Sequence, residues 1–170
     1  MVNDKIIGLN RPQALLHIIN ANKTYGMWGR GTGKSNGGLG PRGITLMEKM
    51  PRAQIGLIVP TYEMAFQKII GNIVGFWENE IGLVNGTDFV IGKKPPEEWA
   101  KPIIPVFKHD YVISHANGCV MPILSLAVEG AGNAFNLQAV LGDEAKFFNE
   151  RKLKEILRAL RGGYKDFGHL

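Results

Sequence analysis

The segment Gly29-Arg30-Gly31-Thr32-Gly33-Lys34-Ser35 packs three glycines, two cations and a hydroxyl pair into seven residues. Glycines without Cβ atoms let successive backbone N–H groups converge on an anion, and a helix starting there adds the positive end of its dipole. In such a loop Lys34 would reach the β- and γ-phosphates of a nucleotide. Ser35 would offer its hydroxyl to Mg²⁺, a hard ion that takes oxygen ligands and keeps several waters. Arg30 would place a guanidinium at the γ-phosphate oxygens, where it can stabilise charge in a transition state. The strict spacing of a phosphate-binding loop puts glycine at position 28, where this chain has Trp28.

Phosphate chemistry of this kind needs carboxylates from a distant part of the chain, one to hold the metal and one to polarise the attacking water. Asp143-Glu144, directly after Ala139-Val140-Leu141-Gly142, meets that need. Gln13, beside Pro12, carries an amide that can donate and accept at once, as the edge of an adenine ring requires.

The elements that must position these groups follow from apolar periodicity. Leu15, Leu16, Ile18 and Ile19 after Pro12 predict a first helix, and residues 24–28 predict an apolar strand leading into the glycine loop. Gly37, Gly38, Gly40 and Pro41 make a poor helix, so the helix after the loop is expected to be short or broken at Pro41. Residues 53–59 read as a buried strand. Thr61 then caps a helix with Ala65, Ile69, Ile70, Ile73, Val74 and Trp77 on one stripe, stopping near Gly82. Prolines make 92–105 irregular. Asn117-Gly118 predicts a tight hairpin between strands at 111–115 and 120–126. Residues 137–141 suit a central parallel strand, and 150–161 a last helix with Leu153, Ile156, Leu157 and Leu160 inward. Strands alternating with helices imply an α/β fold with a mainly parallel central sheet flanked by helices.

At 170 residues with 45% apolar composition, the chain suits one domain with a sizeable core. Its apolar runs are too short to span a bilayer, and residues 1–12 lack a secretion signal, so an intracellular location away from membranes is expected. Cys119 is the one cysteine, so no internal disulfide forms, and the four histidines have no metal-site spacing. A net charge of +5 fits either a polyanionic partner or ordinary solubility charge. Arg151, Lys152, Lys154, Arg158, Arg161 and Lys165 crowd the last helix. They could meet DNA phosphates, but a solvated face is the favoured reading because the apolar stripe already assigns the opposite side to the core. Tyr62, Trp99 and Tyr111 could stack on bases, although aromatics at strand ends more often pack.

The order of motifs resembles the ATPase domain of the large terminase subunit, the motor that packages DNA into tailed-phage capsids. The resemblance is carried by Pro12-Gln13, the arginine-bearing loop 29–35, Pro60-Thr61-Tyr62 ending a strand, the Asn117-Gly118 hairpin, Ser125 with Gly130 and Gly132, and Asp143-Glu144-Ala145. It covers roughly residues 10–150 and implies a P-loop NTPase fold with a β-hairpin insertion. It also implies that Gln13 recognises adenine, that Gly29, Gly31, Thr32 and Gly33 cradle phosphate, and that Arg30 senses the γ-phosphate. Lys34 and Ser35 would hold phosphate and Mg²⁺, Asp143 the metal, and Glu144 would activate water. The implied ligand is ATP with Mg²⁺. The implied partners are double-stranded DNA, further copies in a ring, the portal and the small terminase subunit, in the cytoplasm of a bacterial host. Only a short tail follows Glu144, so the chain resembles an ATPase portion without the coupling motif and nuclease domain. The alternatives are a nucleotide-binding assembly module or truncated remnant without turnover, or another P-loop nucleic-acid translocase.

Overall fold

The computed structural model describes residues 8 to 19, 23 to 27, 33 to 133 and 135 to 160, apart from the side chain of Lys34. Trp28, Gly29, Arg30, Gly31 and Thr32 therefore lie outside the described residues, as do Arg161 and Lys165.

The sheet has five strands: β1 (Ile55–Val59), β2 (Phe89–Ile91), β3 (Val112–His115), β4 (Val120–Ser125) and β5 (Ala139–Gly142), in the order β2-β3-β4-β1-β5. β1 runs parallel to both β4 and β5, whereas β3 is antiparallel to β2 and β4. The sheet is thus mixed rather than mainly parallel. The reason is that the hairpin is not an insertion: its second strand, β4, is the central strand and carries both kinds of pairing. β2, unforeseen in the sequence, is a three-residue Phe-Val-Ile run whose one ladder partner among the described residues is β3.

β1 is buried throughout, as its unbroken apolar run requires. Ile55, Leu57 and Val59 join one core with α2 (Gly40–Lys49), α4 (Ile70–Phe76) and Trp77. Ile58 points to the other face, where Leu124, Leu126 and Leu137 pack with Ile156 of α5 (Glu150–Arg158). Helices therefore cover both faces, the α/β arrangement. No helix among the described residues is long and apolar enough to cross a membrane. Cys119 is fully buried, and burial pushes its thiol up to about 12, so it is a protonated core residue.

The helix after β1 begins as foreseen, with Thr61 Oγ1 accepting from the Met64 N–H at 3.1 Å. It runs through α3 (Tyr62–Met64), a wide π-helical turn Ala65–Ile69, α4, and a second π turn Trp77–Ile81, ending at Gly82 with φ +87°. The helix after the glycine loop is not broken at Pro41. Lys34–Leu39 forms a π turn that runs directly into α2, with Pro41 in its first turn. Proline supplies no N–H to the Gly37 carbonyl four residues back, and that carbonyl lies 3.3 Å from His17 Nε2, which donates when protonated there. The glycines serve packing: a Cβ at Gly37 would sit 2.3 Å from Gln13 Nε2, and one at Gly40 3.0 Å from Phe76.

Four expectations fail, most of them at the N-terminal and C-terminal flanks. Residues 24–27 form no strand and are exposed, Tyr25 at 85% and Met27 at 97%, because the sheet offers them no ladder partner among the described residues. In α1 (Arg11–Ile18) the stripe is reversed: Ile18 is exposed and Gln13 is the buried residue. β5 is not central; it forms the edge of the described sheet and is half-buried. In α5, Ile156 is buried while Leu157, and Leu160 just past the helix end, reach solvent.

The hairpin turn is fixed on both sides. Asn117 Nδ2 donates to the Met47 carbonyl at 2.9 Å, and Asn117 Oδ1 accepts from the Cys119 N–H at 2.9 Å. Gly118 has φ +84°, and a Cβ there would sit 2.8 Å from the Ala100 carbonyl oxygen. Gly118→Ala is expected to lower the unfolding free energy by about 2 kcal/mol, from left-handed strain plus the backbone shift needed to clear Ala100. Urea denaturation measures this, and an unchanged midpoint would contradict it.

Candidate functional site

Because β4, β1 and β5 are parallel, their carboxyl ends lie on one edge of the sheet, where ligands of open α/β sheets bind. Ser125, Thr61 and Asp143 follow from those ends. The Asp143 N–H donates to the Ile58 carbonyl at 3.3 Å, which extends the ladder and fixes where the acidic pair begins.

From the other side comes the turn after the glycine loop. Gly33 takes a left-handed conformation, φ +70° and ψ +29°, and the chain then winds into the π turn that carries Ser35. Ser35 Oγ donates to Asp143 Oδ2 at 2.5 Å across 108 residues of sequence. Asp143 is 5% exposed, and its other oxygen accepts from the Glu144 N–H at 2.8 Å. A buried carboxylate needs such donors. Two residues singled out in the sequence for metal binding are thus in contact.

Glu144 takes φ +56° and ψ +41°, left-handed for a residue type that seldom adopts it. Conformations of this kind cost about 1–3 kcal/mol and collect at functional sites. Its carboxylate meets Lys146 Nζ at 3.1 Å. Gln13 completes the frame differently from a free base-reading amide. Its Oε1 accepts from the Asn10 N–H at 2.9 Å, while Nε2 donates to the Gly33 carbonyl at 3.1 Å, so it caps α1 and ties that helix to the end of the glycine loop.

Ser35, Asp143 and Glu144 line a cleft of about 380 Å³. Its remaining wall comes from the helix after β1, through Met64, Gln67, Lys68, Ile69 and Asn72. These were missed in the sequence. The one available signal for Gln67, Lys68 and Asn72 was their place on the helix just beyond a strand's carboxyl end.

The donors at the cleft are oxygens, Ser35 hydroxyl and the Asp143 and Glu144 carboxylates, which suits Mg²⁺ held by few protein ligands with water and phosphate completing the shell. No group of three or more His, Cys, Asp or Glu able to hold a metal occurs among the described residues.

Several of the other candidates are packed or paired. Tyr62 and Tyr111 stack on each other with centroids 4.0 Å apart at 16°, and burial first, then Tyr111, raises the Tyr62 pKa. On α5, Lys154 pairs with Glu150 at 2.7 Å, and Arg151 with Glu129 at 3.6 Å and Glu155 at 4.0 Å, in keeping with a solvated face. Compared with known proteins, the chain matches no family model, no curated protein and no solved structure.

Proposed function

We propose that this chain is a P-loop NTPase that binds ATP with Mg²⁺ and hydrolyses the γ-phosphate, as the motor domain of a terminase-like DNA-packaging protein would. The single observation that carries the reading is the Ser35–Asp143 hydrogen bond at the carboxyl ends of parallel strands, with Glu144 held in a strained conformation next to it.

In this mechanism the backbone N–H groups of the glycine loop and the ammonium of Lys34 hold the phosphates. Ser35 and Asp143 are the residues that would hold Mg²⁺, which when bound neutralises phosphate charge. Glu144 orients a water for in-line attack on the γ-phosphorus and takes its proton, and the bond to the β-γ bridging oxygen breaks. Arg30, inside the loop, stabilises the charge that develops. By the same resemblance the partners are double-stranded DNA and further copies in a ring, with the portal and small terminase subunit beyond.

Calorimetry with ATP and Mg²⁺ beside a phosphate-release assay, with and without DNA, tests this. Lys34→Ala is expected to weaken ATP binding by at least about 10-fold, the loss of a charge-assisted contact to phosphate. Absence of ATP binding by the wild type would overturn the proposal. Binding without phosphate release would favour a nucleotide-binding assembly module.

A further inference from the structure

We infer that Lys68 is a second cationic contact for the nucleotide, directed at its terminal phosphate, an inference that rests on the cleft being a nucleoside triphosphate site. Among the described residues lining the cleft, Asp143 and Glu144 contribute carboxylates and Lys68 the one ammonium. A triphosphate brought against two carboxylates meets like charge, which Mg²⁺ at Asp143 would offset in part and a cation on this wall would offset further.

The helix places Lys68 firmly. Ala65 and Ile69, its neighbours on the inward face, are 0% and 2% exposed, which fixes the rotation of the helix and leaves Met64, Lys68 and Asn72, spaced four apart, along the cleft. Of the three polar side chains on this wall, two already engage their amide nitrogens within the helix, with one N–H used on each. Gln67 Nε2 donates to Glu63 Oε1 at 3.0 Å, and Asn72 Nδ2 donates to the Lys68 carbonyl at 2.8 Å. Lys68 Nζ has no ion pair or hydrogen bond among the described residues, whereas Lys146, the other nearby ammonium, is held by Glu144. Because the wall adjoins Glu144, where water attacks, the phosphate it meets is the terminal one. Lys68 would then distinguish a triphosphate from a diphosphate.

Calorimetric titration of the full chain with ATP and with ADP, each with Mg²⁺, tests this in the wild type, Lys68→Ala and Lys68→Arg. Lys68→Ala is expected to weaken ATP about 10-fold and ADP less than about twofold, with Lys68→Arg restoring most of the ATP affinity. Lys68 is exposed, so the variants keep the core, and a thermal melt checks it. If the wild type binds ATP and Lys68→Ala leaves it unchanged, or weakens ATP and ADP equally, the role of Lys68 is overturned while the nucleotide reading stands. If the wild type binds neither nucleotide at millimolar concentration, both fail.

Discussion

Glu144→Gln is expected to slow ATP hydrolysis by roughly 10³-fold while ATP·Mg²⁺ affinity stays within about threefold of wild type. Glutamine keeps the length and an oxygen acceptor but cannot take a proton from water. The phosphates remain with the loop and with Ser35 and Asp143, whose own hydrogen bond does not pass through the Glu144 side chain. A second substitution separates chemistry from folding. Glu144→Gly removes the same carboxylate but also relieves φ +56°, so it is expected to lose hydrolysis equally while raising the unfolding free energy by about 1 kcal/mol. A residue kept strained where its replacement is both more stable and inactive is a residue held for chemistry. Hydrolysis at the wild-type rate in a folded Glu144→Gln protein would remove Glu144 from the mechanism.

What could be read from the sequence divides along local and non-local lines. β1, the Thr61 cap, the Gly82 stop and the Asn117-Gly118 turn are set by residues within a few positions of one another, and the structure has all of them. The run at 24–27 is apolar enough for a strand, but a strand exists only through its ladder partners, which no local pattern reveals. The stripe of α1 misled because the helix is oriented by polar contacts of Gln13 and His17 to Gly33 and Gly37, not by burial of Leu15 and Ile18. Pro41 misled for a different reason: a π turn moves the hydrogen bonds to five-residue spacing, where Gly40 N–H donates to the Ser35 carbonyl, and an imidazole covers the carbonyl that proline leaves open. Within the site, Ser35 and Asp143 could be paired in advance because their chemistry is complementary. Lys68 could not, since nothing but the fold distinguishes it from a solvated lysine.

Trp77→Ala is expected to lower the unfolding free energy by about 4 kcal/mol, the upper range for truncating a buried aromatic, and the melting temperature by about 10 °C. Trp77 is 0% exposed and joins three elements. Its Nε1 donates to the Gly40 carbonyl at 2.7 Å at the start of α2, and its ring meets Phe89 of β2 edge-on at 5.3 Å and 76°. The absence of a side chain at Gly43 lets the indole lie 3.4 Å from where a Cβ would be. Alanine leaves a cavity too well walled to collapse. Trp77→Phe keeps the ring contact but drops the indole donor, so about 1–2 kcal/mol is expected. The consequence reaches the cleft, because α2 continues from the turn that carries Ser35, and loosening its start frees Ser35 relative to Asp143. ATP·Mg²⁺ affinity of folded Trp77→Ala should therefore fall further than that of a destabilised control such as Gly118→Ala, whose strain lies in the hairpin turn, held to α2 near its far end at Met47. Equal affinity in the two variants, measured well below both melting temperatures, would mean that the indole stabilises the core without setting the geometry of the site.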